Sequence, residues 1–106
     1  MDEEKKQLVV CIINSGFSDL VMEAAKAAGA RGGTVLHARG TGNPSSEKFF
    51  GISISPEKEI VLIVVEEAIK DTVISKIYDE CGLDTEGQGI VFSLPVDDFV
   101  TKKELI

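Results

Sequence analysis

The sequence has no apolar run that approaches the roughly 18 residues of a membrane-spanning helix. Its first residues, MDEEKKQ, are charged and lack the apolar stretch of a secretory signal peptide. We therefore expect a cytosolic protein. The length of 106 residues is that of one domain, so we expect residues 1–106 to form a single domain.

The chain also lacks an excess of basic residues. Its net charge at pH 7 is −7, whereas broad binding to nucleic acid needs a basic surface, so we expect no nucleic-acid partner. The stretch from residue 29 to residue 48 is an exception, because it carries Arg31, Arg39 and Lys48 against Glu47 alone. A few local cations together with backbone amides are enough to form a small anion site.

Residues that usually carry catalysis or bind metals are scarce. The only histidine, His37, lies in a predicted strand without an evident partner, and a Ser-His-Asp or Cys-His site needs a histidine positioned by a third group. The two cysteines, Cys11 and Cys81, form no CxxC motif or Cys/His cluster, so we expect buried structural thiols. Adjacent carboxylates point in different directions, so we expect the acidic pairs to lie on the surface. These pairs are Asp97-Asp98, Glu66-Glu67 and Asp79-Glu80. We predict that the chain is not an enzyme.

Hydrophobic periodicity predicts six elements of secondary structure. Apolar and β-branched runs of strand length lie at residues 8–14, 33–40, 59–67 and 90–96. Apolar residues at spacings of three and four predict one helix between the capping residues 17–19 and Gly29, and another over residues 68–82. The order predicts an α+β, ferredoxin-like βαββαβ sandwich, with a four-stranded antiparallel sheet and two helices on one face. Residues 41–56 show no helical period, although FFGISIS could extend a strand.

Two of the predicted strands are apolar on both faces. LVVCII and IVLIVV have no polar alternation, whereas a strand with one solvated face should alternate. Two helices cover only one face of a sheet, so the other face needs a cover of its own. The C-terminal tail, DDFVTKKELI, has too few apolar residues to provide it alone. We therefore expect a homo-oligomer.

Two glycine-rich stretches are candidates for a ligand site. Gly40-Thr41-Gly42 does not complete a dinucleotide fingerprint, because no third glycine and no helix follow it. Gly87-Gln88-Gly89 precedes the last strand, where two glycines allow backbone amides to turn inward and form a nest for phosphate oxygens.

The segment GQGIVFSLPV, residues 87–96, resembles the P-II signal-transduction family, in which a GDGKIF-like loop precedes a last strand that ends in a Pro-Val or similar pair. AGARGGTV, residues 28–35, and the Gly40-Thr41-Gly42 stretch resemble the start and end of the family's second strand. The resemblance covers nearly the whole chain in the same order of elements.

The resemblance implies a homotrimer that binds an adenine nucleotide (ATP, ADP or AMP) between subunits. It implies that residues 41–56 form a mobile, T-loop-like segment that contacts a membrane transporter or metabolic enzyme, with Phe49 and Phe50 as candidate contacts. The implied ligand-binding residues are Thr34 and Val64 near the adenine, Gly40 and Gly42 at the loop base, and Gly87, Gln88 and Gly89 at the phosphates.

Several positions depart from the family pattern. Ile90 replaces a lysine that follows the second loop glycine, which removes a cation from the phosphate site. Pro44 replaces a glutamine at the loop base, which puts magnesium and 2-oxoglutarate binding in doubt. The loop is short and contains no tyrosine, so uridylylation is not expected. The resemblance is thus to a divergent member with a short T-loop.

Two other functions remain open at this stage. A structural or metal-responsive trimer similar to the divalent-cation-tolerance proteins would use His37, Asp97 and Asp98 as ligands. A small acylphosphatase-like enzyme would need an arginine beside an amide that positions water, and Arg31 with Asn14 is the nearest pair.

Overall fold

The computed structural model describes residues 5–40, 47–49, 52–54 and 57–100. The elements are, in chain order, β1 Lys6–Asn14, α1 Ser18–Ala27, β2 Thr34–Arg39, β3 Glu47–Phe49, β4 Ile52–Ile54, β5 Glu57–Glu66, α2 Glu67–Cys81 and β6 Ile90–Val96. The six predicted elements are present. The short pair β3 and β4, which forms a separate antiparallel ribbon inside the 41–56 segment, is additional.

The main sheet has the order β2-β5-β1-β6, and every neighbouring pair of strands is antiparallel. The two strands with continuous apolar runs, β1 and β5, lie at the centre, and β2 and β6 form the edges. This order, with α1 and α2 as the crossovers, confirms the predicted α+β ferredoxin-like sandwich.

Each helix buries the stripe that its spacing predicts. Val21, Ala24 and Ala25 of α1 are buried. Val73, Ile77 and Cys81 of α2 are buried. The expected side-chain cap of α1 is absent within the described residues, since Phe17 precedes the helix and no side chain bonds to its first amides.

The core lies between the helices and the odd-numbered residues of the central strands. Because side chains alternate along a strand, these residues share one face of the sheet. The fully buried strand residues are Val9, Cys11, Ile13, Val61 and Ile63, and Val65 is nearly so.

The opposite face of the sheet, which we call the open face, is apolar across all four strands. The strand register aligns its members in rows, such as Phe92 opposite Val10 and Leu94 opposite Leu8. Three residues of β6 and one of β2 remain 41–51% exposed on this face: Ile90, Phe92, Leu94 and Leu36. The remaining members are Leu8, Val10, Ile12, Ile60, Leu62 and Val64.

The chain after β6 touches one end of the open face. The Phe99 ring lies 5.9 Å from the ammonium nitrogen of Lys6, and Val100 is 97% exposed. As far as the chain is described, to residue 100, this tail leaves the β6 residues of the open face accessible. Over the same described residues, neither helix has the length and hydrophobicity required to span a membrane.

Candidate functional site

The turn formed by residues 87–89, which we call the GQG turn, lies against the end of α2. Gln88 has a φ of 51°, a left-handed conformation that is uncommon outside glycine. Its amide donates a hydrogen bond to the Thr85 carbonyl at 3.1 Å, and the Gly89 amide donates to the Cys81 carbonyl at 2.6 Å. These bonds hold the turn closely on the helix end.

Close packing explains why both outer positions of the turn are glycine. A Cβ atom at Gly89 would lie 2.5 Å from the Cys81 carbonyl oxygen, and one at Gly87 would lie 2.9 Å from Cδ1 of Ile13. The first of these contacts is with backbone, which cannot rotate away as a side chain can. A side chain at Gly89 would therefore push the turn off the helix.

The turn has fewer available amides than a nest of three would have. The amides of Gln88 and Gly89 already donate to carbonyl groups of the chain. The Gly87 amide has no acceptor among residues 5–40 and 57–100. The Gln88 side chain is on an exposed residue and carries a further amide group. Gly87 and Gly89 are buried, so a phosphate oxygen that approached the turn would meet the exposed Gln88 first.

A second feature is a cleft of about 140 Å³ at the far end of β5. Its lining comes from the chain between α1 and β2 and from the end of β5 with the start of α2: Gly29, Ala30, Arg31, Val64, Val65, Glu66 and Ile69. The cleft exists because β2 begins late. Thr34, its first residue, pairs with Leu62, so β2 does not cover β5 beyond that residue.

The predicted binding residues thus fall into two groups at opposite ends of the sheet. Val64 pairs with Leu8, whereas the Gly87 carbonyl accepts a hydrogen bond from the Asn14 amide. Leu8 and Asn14 are six residues apart on β1, which corresponds to about 20 Å of strand. One chain therefore does not bring Val64 and the GQG turn together around a single nucleotide.

Of the two glycines predicted at the loop base, Gly40 is within the described residues and Gly42 is not. Gly40 follows β2 and lies against the side chain of Lys58, since a Cβ atom at Gly40 would be 3.0 Å from Cε of that lysine. Gly42 lies outside the described residues, as do Pro44 and the side chains of Phe49 and Phe50. Their predicted roles stay predictions.

The cysteines are buried, as expected, and are poorly suited to act as nucleophiles. Both side chains are fully buried. Burial, with a smaller effect from nearby Cys81, raises the pKa of Cys11 to about 12. Burial, with a smaller effect from Glu80, also raises the pKa of Cys81. The reactive thiolate form is therefore disfavoured at both positions.

The structure does not assemble the residues of the two other candidate functions. His37 lies on the edge strand β2, whereas Asp97 and Asp98 follow the opposite edge strand β6, about 14 Å away across the sheet. In the described part of the chain, no three His, Cys, Asp or Glu residues form a possible metal site. Arg31 lines the cleft, and Asn14 is near the GQG turn at the other end of the sheet.

Sequence reasoning missed most of the cleft lining. The acidic pattern identifies Glu66 only as a surface carboxylate; it is exposed, but it also borders the cleft beside Arg31. The sequence held no clear signal, because the predicted strands at residues 59–67 and 33–40 differ by one residue, whereas β5 has ten residues and β2 six.

A family model described as "Nitrogen regulatory protein P-II" matches residues 6–104. No curated protein matches the chain. The PII protein of Arabidopsis thaliana, solved bound to citrate, is 25% identical, with a TM-score of 0.67 over 98% of this chain and 86% of that one. A putative PII-like signaling protein of Thermus thermophilus is 21% identical, with a TM-score of 0.66 over 91% of this chain and 90% of that one.

Proposed function

Because the chain belongs to the nitrogen regulatory protein P-II family, we propose that it is a homotrimeric regulator that binds an adenine nucleotide between its copies. The nucleotide state is read by a target protein through residues 41–56. The target is a membrane transporter or a metabolic enzyme, in keeping with the family's description as nitrogen regulatory. The regulator acts by binding and performs no catalysis of its own.

The open face supports assembly. It carries four large apolar side chains that are 41–51% exposed in the single chain. Full burial of such a side chain is worth about 1.5–3 kcal/mol, so completing the burial of each contributes about 1 kcal/mol. A second and third copy provide the apolar surface that the described part of the C-terminal tail does not.

The division of the predicted binding residues into two groups is the observation that carries the nucleotide proposal. A site built from Val64 of one copy and the GQG turn of another needs no rearrangement of the fold. The cleft of about 140 Å³ is small, since pockets for drug-sized ligands measure about 300–1,000 Å³. It accommodates the base alone, and a neighbouring copy supplies the phosphate-binding groups.

The cleft has the chemistry that an adenine base requires. A purine presents flat apolar faces and an edge of hydrogen-bond donors and acceptors. Val64 and Ile69 provide apolar contact, and the backbone of β5 beyond Leu62 is not covered by β2. Thr34, the first residue of β2, pairs with Leu62 two residues before Val64, and its exposed hydroxyl group can hydrogen-bond with the base or ribose.

We expect the phosphate groups of the nucleotide to be bound more weakly than in a typical family member. Ile90, which is 51% exposed, occupies the position of the family's lysine. Among the described residues, Lys58 provides a nearby cation, and it lies between Gly40 and Asn14. A charge-assisted bond is about twice as strong as a neutral one. Loss of one such contact therefore favours nucleotides with fewer phosphates.

The test is thermal unfolding against AMP, ADP and ATP, each with and without magnesium and 2-oxoglutarate. A ligand at about 100 times its dissociation constant stabilises the native state by about 2.7 kcal/mol. A selective shift with one of these nucleotides supports the proposal, and a trimer that responds to none of them contradicts it.

The variant Ile90→Lys sharpens this test, because it restores a cation at a half-exposed position. We expect it to increase the stabilisation by ATP relative to AMP. Ser75→Lys adds the same charge at an exposed residue of α2 that is six residues from both Ile69 at the cleft and Cys81 at the turn, and is the matched control. An equal gain from both variants would reflect net charge and would contradict a phosphate site at the turn.

A further inference from the structure

The turn between β1 and α1, Asn14-Ser15-Gly16, connects to the GQG turn on one side. The Asn14 amide donates to the Gly87 carbonyl at 2.9 Å. Its side-chain Nδ2 donates to the Glu86 carbonyl, also at 2.9 Å. One residue of the β1–α1 turn therefore holds two consecutive peptide groups at the start of the GQG turn.

The same turn connects on its other side to the start of β5, directly after the 41–56 segment. Lys58 donates from Nζ to the Asn14 Oδ1 at 2.7 Å. The Ser15 amide donates to the Glu57 carbonyl at 3.1 Å. The start of β5 is therefore held by a side-chain bond and a backbone bond.

Lys58 also reaches the other flank of the 41–56 segment. Its side chain packs on Gly40, where a Cβ atom would lie 3.0 Å from the lysine Cε. Gly40 precedes the segment and Glu57 follows it. Both flanks are thus in contact with Lys58 or with the β1–α1 turn, and Asn14 joins them to the GQG turn.

The bond to Glu86 also governs the direction of the Gly87 amide. A peptide group is planar and trans, so its carbonyl and its N–H point in opposite directions. The Glu86 carbonyl and the Gly87 N–H belong to one peptide group. Asn14 Nδ2, by holding that carbonyl, orients the amide that has no acceptor in the described residues.

We propose that Asn14 is a positioning residue that couples the Glu86–Gly87 peptide to Lys58, and through Lys58 to both flanks of residues 41–56. An anion that binds the GQG turn at the exposed Gln88 and displaces this peptide changes the peptide's bond to Nδ2. The Oδ1 atom of the same Asn14 amide group then moves relative to the Nζ of Lys58. The role of the anion rests on the proposed nucleotide function, whereas the coupling itself exists without ligand.

The asparagine side chain is suited to this role because one amide group is both a donor and an acceptor. Aspartate retains the acceptor for Lys58 and loses the donor to Glu86. Alanine loses both. These two variants therefore separate the two halves of the connection.

The first experiment needs no ligand. In ¹H–¹⁵N spectra of the full chain, we expect Lys58→Met to move the amide signals of Gly87 and Gln88. In the Asn14→Ala background the same change should leave them in place. Equal displacements in both backgrounds would overturn the proposal. Lys70→Met is the matched control, because Lys70 pairs with Asp71 on α2, and it should move neither signal.

Two further variants protect this test against a folding defect. Ser15→Ala changes an exposed residue whose backbone alone is used, and it should preserve the Lys58 effect. If Asn14→Ala does not fold, Asn14→Leu, which keeps a similar side-chain volume and loses both the donor and the acceptor, replaces it and should likewise abolish the response of Gly87 to Lys58→Met. A response that persists in Asn14→Leu would overturn the proposal.

The second experiment measures hydrogen exchange with and without ADP or ATP. In the wild type, we expect the nucleotide to alter exchange both at residues 82–89 and at residues 41–56. In Asn14→Ala the change at 82–89 should remain and the change at 41–56 should be lost. A full response at 41–56 in the variant would contradict the coupling. If no nucleotide protects residues 82–89 in the wild type, the proposed function fails, and the ligand-free spectra alone decide on Asn14.

Discussion

A charge on the open face gives the sharpest test of how this protein assembles. Leu94 of β6 is 48% exposed in the single chain and lies opposite Leu8. If the chain functions alone, Leu94→Glu places a carboxylate where solvent already reaches. Surface substitutions of this kind change the free energy of unfolding by about 0.5 kcal/mol or less, and the half-buried position adds at most about 1 kcal/mol.

If copies associate through the open face, Leu94→Glu should weaken association by several kcal/mol, which is much more than its effect on the unfolding of a single chain. Each subunit then buries an unpaired carboxylate, which costs several kcal/mol per ion. Because each 1.4 kcal/mol is a factor of ten in an equilibrium constant, about 3 kcal/mol per copy weakens association more than a hundredfold for each subunit. An assembly that is stable at micromolar concentration should fall apart.

Light scattering coupled to size-exclusion chromatography measures this directly. We expect the wild type to elute at three times the chain mass of 11.4 kDa and Leu94→Glu at that mass, with its circular dichroism retained. Ser75→Glu, at an exposed residue of α2 on the other side of the sheet from the open face, is the matched control and should remain a trimer. A Leu94→Glu protein that assembles like the wild type, or a monomeric wild type, would refute the reasoning.

Three further changes test the packing. Gly89→Ala should lower the free energy of unfolding in urea by about 1–3 kcal/mol, because its Cβ would meet a backbone carbonyl; Gly32→Ala, which has open space around it, should have almost no effect. Because the pKa of Cys11 is raised from 9.0 to about 12, the unfolded chain releases this proton first. Stability should therefore fall as the pH rises from about 9 to about 12, and it should fall less steeply in Cys11→Val. Ile77→Ala, in the core, should cost about 2–5 kcal/mol in urea, and the half-buried Ile74→Ala should cost less. The packing argument would be contradicted if Gly89→Ala and Gly32→Ala had equal effects, or if Ile77→Ala and Ile74→Ala did. The argument about Cys11 would be contradicted if pH affected Cys11→Val and the wild type equally.

Hydrophobic periodicity was sufficient to predict the four long strands and the two helices, and to predict which of their faces are buried. The strands follow from apolar runs of strand length, and the buried stripe of α2 follows from the four-residue spacing of Val73, Ile77 and Cys81. The short β3 and β4 were not predicted as a pair. Three-residue strands are too short to display a reliable period.

The GQG turn shows where pattern reasoning reaches its limit. Two glycines around one residue indicate a tight turn, and the turn is present with Gln88 at a positive φ. The pattern does not say which amides are free. That depends on carbonyls of Thr85 and Cys81, which the fold of α2 brings to the turn.

The order of the elements, the two-sided apolar character of β1 and β5 and membership of the P-II family follow from the residue pattern alone. These properties are local or cumulative along the chain, because burial by strands and helices imposes periods of 2 and 3.6 residues. The position of the cleft at the uncovered end of β5, and the placement of Val64 and the GQG turn at opposite ends of the sheet, became known from the folded chain. The folded chain also places Asn14 between Lys58 and Glu86, which are 28 residues apart in sequence. Contacts of this kind depend on strand register and on packing between distant segments, and neither leaves a periodic trace in the residues that make them.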